Sequence, residues 1–340
     1  MMTKFLRNTK RWLPGALVSI VLIAAILYFV DFGQMAAAVR SAHYGLLAIA
    51  LVIAFVWLAV RGVVWRTLLR ERASYPDVFL TVGEGYLLNN FLPFRLGEVG
   101  RAFLLSRKTD LQFMEILPTI LIERSVDLVY SAGILLAALP FVVKVPEAAE
   151  AGSIVGALVL AGLALLYLVA RNRQWALQTY HNLSARWKPL QRIGGEFLEP
   201  LLEGLAVLTE GWRFARFLFW MTINWAIAIL WYYLVVQAFF PQAQPVWGML
   251  ALGAAALGGA IPALPGAVGT FEGAFGGALY LLTGDQSTAL AAALTGRLNN
   301  YLSTTIVGVI GLSREGQTLS GVYRQLVEFR ARKEQSDARG

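Results

Sequence analysis

The chain has 340 residues, of which 57% are hydrophobic and 15% charged, a composition too apolar for a water-soluble domain and characteristic of a polytopic membrane protein. The absence of cysteine excludes disulfides, thiolate catalysis and thiolate metal sites, and no His/carboxylate cluster accompanies His43 or His181, so neither a metal nor another cofactor is expected. The net charge of +8 fits cytoplasmic loops and anionic headgroups in such a chain, and nucleic acid is not expected as a partner.

Lys4, Arg7, Lys10 and Arg11 precede an apolar run from Leu13 to Val30. The run is long enough to cross a bilayer and no small-residue cleavage site follows it, so residues 1–43 read as a cytoplasmic segment and a first span. A second span, from Tyr44 to about Leu69, ends in Arg61, Arg66, Arg70 and Arg72 and returns the chain to the cytoplasm. The next stretch, 78–105, is a hairpin broken around Pro93 and Gly97, and a third span follows from Glu115 to Val143.

Residues 144–213 hold a fourth span, 154–170, and a mixed region from 171 in which Trp175, Tyr180, Trp187 and Phe197 alternate with Arg186, Lys188 and Arg192. That mixture fits helices lying in the cytoplasmic interface, or a solvated connector. A fifth span (214–239), a second broken hairpin (247–282) and a sixth span (287–312) complete the apolar part. A basic tail, 313–340, then lies in the cytoplasm. On this layout only Arg40 and Lys144, of 29 Lys and Arg, face outward, as the positive-inside rule requires for an integral inner-membrane protein with both termini cytoplasmic.

The fold expected is therefore all-α and polytopic, with about six full spans and two Pro/Gly-broken helical hairpins. Residues 44–143 and 214–312 repeat the order span, hairpin, span, and their opposite entry sides make the repeat inverted. Pro262 and Pro265 remove backbone donors from the second hairpin while Gly266 and Gly269 loosen the turn after them. Broken helices at membrane depth mark sites, because freed backbone groups there need protein or a water-filled cavity. The loop charges fit re-entrant hairpins and fully crossing ones alike.

Each break is followed by an arginine in apolar sequence, Arg124 in the first half and Arg297 in the second. An arginine at the centre of a membrane helix costs about 2.5–3.5 kcal/mol on insertion scales, so each needs an answer. Glu98, Glu123, Asp127 and Glu272 lie at comparable depth, and Arg95 sits inside the first break. Two readings stand: ion pairs that lock hairpin to span, or a cationic cavity whose guanidinium forks suit a phosphate. Asn90 and Asn300 add neutral hydrogen bonds, and helix N-termini after Pro93 and Pro265 add partial positive charge.

Three stretches, NNFLPFRLGEVGRAFLL, ILIERSVDL and ALPGAVGTFEGAF, resemble the membrane domain of lysylphosphatidylglycerol synthases and the stand-alone flippase-like proteins related to it. The likeness covers about residues 10 to 315. By matching position, Arg95 and Glu98 fall in the first stretch, Glu123, Arg124 and Asp127 in the second, and Pro265, Gly266, Gly269 and Glu272 in the third. The resemblance implies transport of a lipid of phospholipid, polyprenyl-phosphate or hopanoid type between leaflets. The synthase's soluble aminoacyl-transferase domain has no counterpart in the short tail after the sixth span, so no enzymatic activity is expected.

The function expected is thus a translocator that holds an anionic lipid headgroup near the midplane with Arg95, Arg124 and Arg297, as a monomer or a homo-oligomer. The alternatives are a carrier of a small soluble anion and a non-catalytic membrane subunit of a lipid-modifying pathway.

Overall fold

Apolar surroundings oblige each segment to satisfy its own backbone N–H and C=O groups, which leaves helices for segments of this composition. The computed structural model describes residues 31–91, 96–139, 171–186, 209–261 and 265–325, with positions 161, 164, 167 and 168. Every regular element among them is helical. In chain order these are α1 (Phe32–Ser41), α2 (Tyr44–Leu68), α3 (Tyr75–Phe91), α4 (Leu96–Lys108), α5 (Phe113–Ala138), α6 (Arg173–Arg186), α7 (Gly211–Phe239), α8 (Pro245–Ala260), α9 (Thr270–Thr283) and α10 (Gln286–Arg314), with a 3-10 turn at Pro265–Ala267 before α9.

Local chemistry sets the boundaries. Asp31 caps α1 by accepting from Gly33 and Gln34 N–H at 2.8 and 3.0 Å, and His43 Nδ1 accepts from Leu46 N–H at 3.2 Å at the start of α2. Both satisfy donors that a first helical turn leaves free. Pro245 opens α8, where its missing N–H does no harm. Gly284, with φ of 69°, ends α9 in the left-handed conformation, and Asp285 at once caps α10 by accepting from Thr288 N–H at 3.0 Å. Within the stretch 1–43, read as a cytoplasmic segment and a first span, residues 32–41 form α1, which rests on α10 and α7.

α2 and α7 make the central pair. Ala50, Ala54 and Leu58 recur every fourth residue on α2, and Phe217, Met221, Trp225 and Ala228 on α7, so each helix turns one buried stripe inward. Around this pair α3 packs on α4 and on α10, while α8 packs on α9 and on α5. The first helix of each hairpin therefore lies against the closing helix of the other half.

Among the described residues two helices, α2 and α7, are long and apolar enough to cross a membrane by length and composition. α5 and α10, with 26 and 29 residues, exceed the roughly 20 residues that a span needs but carry charges in their middle. The hairpin helices are shorter, with 17 and 13 residues in the first and 16 and 14 in the second. The first span, most of the fourth, and the break residues Pro93, Arg95 and Pro262 lie outside the described residues.

Crossings of short helices demand small side chains. A Cβ on Gly83 of α3 would stand 2.5 Å from Val307 Cγ1 and 3.0 Å from the Gly308 nitrogen of α10, and one on Gly308 would stand 2.7 Å from the Gly83 carbonyl oxygen. Gly253 of α8 meets the Leu135 backbone of α5 in the same way. Gly83→Ala is expected to destabilise by about 1–3 kcal/mol, the range for overpacking a filled interior. Gly277→Ala, where a Cβ meets nothing within 4 Å, should leave the midpoint of thermal unfolding in detergent unchanged.

Candidate functional site

α5 brings Glu123, Arg124 and Asp127 into little more than one helical turn, with Glu123 and Asp127 four apart on one face. That face meets Arg61, which projects from the buried stripe of α2. Arg61 donates from Nε to Glu123 Oε1 at 2.8 Å and from one terminal nitrogen to Asp127 Oδ1 at 2.8 Å, and its other terminal nitrogen pairs with Asp127 Oδ2. α7 completes this end: Asn224 Oδ1 accepts from Arg61 at 3.3 Å and Trp225 Nε1 donates to Asp127 at 3.2 Å.

α4 adds a second guanidinium. Arg101 grips both oxygens of Glu123, at 3.1 and 2.5 Å, and stacks on the Trp65 ring at 3.7 Å. Glu123 thus receives Arg61, Arg101 and Arg124 at once, the last at 2.8 Å. Side-chain exposure is 0% for Glu123, 2% for Arg61 and 3% for Arg101. Such a network holds only because every charge is paired and hydrogen-bonded.

Arg124 is different. Its side chain is 25% exposed, and Glu98 stands 3.8 Å from its Nε. It reaches Asp127 at 3.4 Å and the Tyr86 hydroxyl of α3 at 3.4 Å. Glu98 lies in the first turn of α4, where the helix dipole favours a negative charge. Arg61, Arg101 and Arg124 face Glu98, Glu123 and Asp127, so the cluster is balanced while Glu98 stays near.

A second arginine–glutamate pair lies in the C-terminal part of the chain with a tighter fit. Arg297 of α10 holds both oxygens of Glu272, one at 2.9 Å, and donates to the Gly266 and Ala267 carbonyls and to the Tyr301 hydroxyl. It also lies over the Phe271 ring at 4.6 Å. Glu272 in turn accepts from Gly269 N–H at 2.8 Å. Gly266, Ala267 and Gly269 have φ of 69°, 55° and 90°, a run that glycine makes tolerable at two of three positions. The break is therefore held open by one arginine that answers its freed carbonyls.

The two halves touch. Asn90, in the last turn of α3, donates from Nδ2 to Thr304 Oγ1 at 3.1 Å, and its carbonyl would lie 3.2 Å from a Cβ on Gly266. Gly97 N–H donates to Asn89 Oδ1 at 2.9 Å, joining the two legs of the first hairpin. Asn300 is half-buried and uses its carbonyl for Ser303 and Thr304 hydroxyls. Among the described residues no group of His, Cys, Asp and Glu could hold a metal.

Of the residues expected from sequence, Glu98, Arg124 and Asp127 come together, and Arg297, Glu272, Pro265, Gly266 and Gly269 form a second group. Asn90 joins the second group through Thr304 and Gly266. Arg61 and Arg101 were missed. Arg61 was read as a loop charge at the cytoplasmic end of its span, yet it is among the most deeply buried side chains of α2; the available signal was its apolar flank, with Val60, Val63 and Val64 around it.

The chain matches the family described as "Lysylphosphatidylglycerol synthase TM region" over residues 12–308. It is also 27% identical over 327 residues to a UPF0104 membrane protein of Methanothermobacter thermautotrophicus, across 92% of this chain and 97% of that protein.

Removing the shared anion exposes the network's logic. Glu123→Gln leaves two deeply buried guanidiniums short of a counter-charge and is expected to destabilise by about 3–5 kcal/mol. Glu98→Gln should fall within about 1 kcal/mol, as for a partly solvated pair. Thermal unfolding of the purified variants in one detergent compares them directly.

Proposed function

The chain belongs to the lysylphosphatidylglycerol synthase TM region family of membrane proteins, and on that footing we propose that it moves an anionic or phosphate-bearing lipid between the leaflets of the inner membrane. The observation that carries the reading is the contrast between arginines. Arg61, Arg101 and Arg297 are at most 10% exposed and each holds a buried carboxylate closely, whereas Arg124 is 25% exposed and has Glu98 only loosely placed at 3.8 Å. A phosphate oxygen taking the place of Glu98 restores the same charge balance with better geometry than a carboxylate 3.8 Å away.

Three further features support transport. The reciprocal packing of α3 on α10 and α8 on α5 is what an inverted repeat produces. Hairpin helices of 13 to 17 residues suit re-entrant elements that stop near the midplane, where inverted-repeat transporters build their sites. The contact of Asn90 with Gly266 and Thr304 brings the two halves together beside that depth. In this reading Arg297 and Glu272 hold the second break in shape, and both termini are cytoplasmic. The chain acts as a carrier and carries out no covalent chemistry.

Reconstitution tests this. Liposomes holding the protein should move a headgroup-labelled anionic lipid faster than protein-free liposomes and faster than a zwitterionic analogue. Arg124→Gln should slow that movement about tenfold or more, as expected for a charged hydrogen bond worth roughly 1.5–3 kcal/mol, with its unfolding midpoint preserved. Equal rates with and without protein, or inhibition by soluble phosphate in place of short-chain lipid phosphate, count against a lipid substrate.

A further inference from the structure

A separate charged cluster lies where α3 crosses α10. Glu84 of α3 accepts from Lys108 Nζ at 2.9 and 3.1 Å. Lys108, in the last turn of α4, also donates to Thr81 Oγ1 at 2.8 Å and pairs with Glu315, the residue that follows α10 as its cap. All three ammonium hydrogens are thereby taken. Side-chain exposure rises from 0% at Glu84 to 12% at Lys108 and 24% at Glu315, so the cluster opens to solvent on the Glu315 side. The two carboxylates meet at the same ammonium nitrogen, which brings them close to each other.

Among the described residues, the other elements around α3 bring no second cation to this place. On α2, Gly62 meets Tyr75 and Phe79, and Arg61 is committed to Glu123 and Asp127. On α4, Arg101 is committed to Glu123 and Arg107 to Gln325. On α10, Gly311 lies over Glu84, where a Cβ would overlap the carboxylate, and Arg314 is exposed. Two carboxylates therefore share one ammonium, and the more buried of them has no counter-charge of its own. A carboxylate in that position is relieved by binding a proton.

We propose that Glu84 and Glu315 form a one-proton binding site that latches the first hairpin to α10. The proton comes from bulk water at the Glu315 end and sits on Glu84. The Glu84 O–H then donates to the Glu315 carboxylate, and Lys108 balances the single remaining charge. When the proton leaves, two carboxylates face each other across the α3–α10 crossing and repel, loosening the contact between one half's hairpin and the other half's closing helix. The proton site stands on the cluster alone; its control of lipid movement rests on the function proposed above.

Infrared difference spectroscopy of the full chain in lipid vesicles tests the site without any transport assay. The wild type should show a carboxylic-acid C=O band that fades as pH rises and is lost in Glu84→Gln. Glu315→Gln should lose it too, because Lys108 then balances Glu84 alone and keeps it ionised; this partly exposed position keeps the test available if Glu84→Gln fails to fold. A band unchanged in Glu84→Gln, or retained in Glu315→Gln, overturns the site. In liposomes, wild-type movement of labelled anionic lipid should follow the same pH dependence, and Glu315→Gln should flatten it. A pH-independent wild-type rate overturns the latch, whereas no lipid movement at any pH, with the band behaving as expected, overturns the transport reading and leaves the proton site standing.

Discussion

Everything around α2, α4 and α5 depends on the pairing of Arg61 and Arg101 with Glu123. Three helices that share one hydrophobic core are also joined by one carboxylate, which Arg61, Arg101 and Arg124 all reach. A lone charge in an apolar interior is prohibitive, and a fully paired one is close to neutral in stability, so such a network specifies geometry more than it adds stability. Here the geometry fixed is the angle of the first hairpin against its closing span, together with the α7 face that supplies Asn224 and Trp225.

The second half reaches a similar end by another route. Its arginine answers backbone: Arg297 takes up the carbonyls of Gly266 and Ala267 that the prolines and the left-handed residues leave outside any helix. The break is stable because its lost helical hydrogen bonds are replaced by charge-assisted ones. Tyr301 closes the back of the turn so tightly that Gly266 has no space for a side chain. Arg297 is thus a rigid clamp and Arg124 a loosely paired guanidinium.

That difference separates architecture from proposed function. Charges that are saturated and fully buried define the scaffold. Those that are partly exposed or share a partner, Arg124 with Glu98 and Glu84 with Glu315, are the ones whose state can change with a ligand or a proton. They sit on the elements that join the halves: α3 carries Tyr86 towards Arg124, Asn90 towards the second break and Glu84 under α10. α3 is therefore the element that touches all three places.

The apolar periodicity carried the helical class, because helix formation in apolar sequence is a local matter. The same local logic flagged Arg124, Arg297, Glu98 and Glu272 as charges in need of partners. Which partner each one takes is a long-range matter: Arg61 meets Asp127 across 66 positions of chain, and no local pattern distinguishes a buried arginine near a span's end from a cytoplasmic one. Only the packing of α2 on α7 and α5 turned Arg61 inward, added Arg101 and left Arg124 partly exposed, since burial and pairing are properties of the surfaces that helices present to one another.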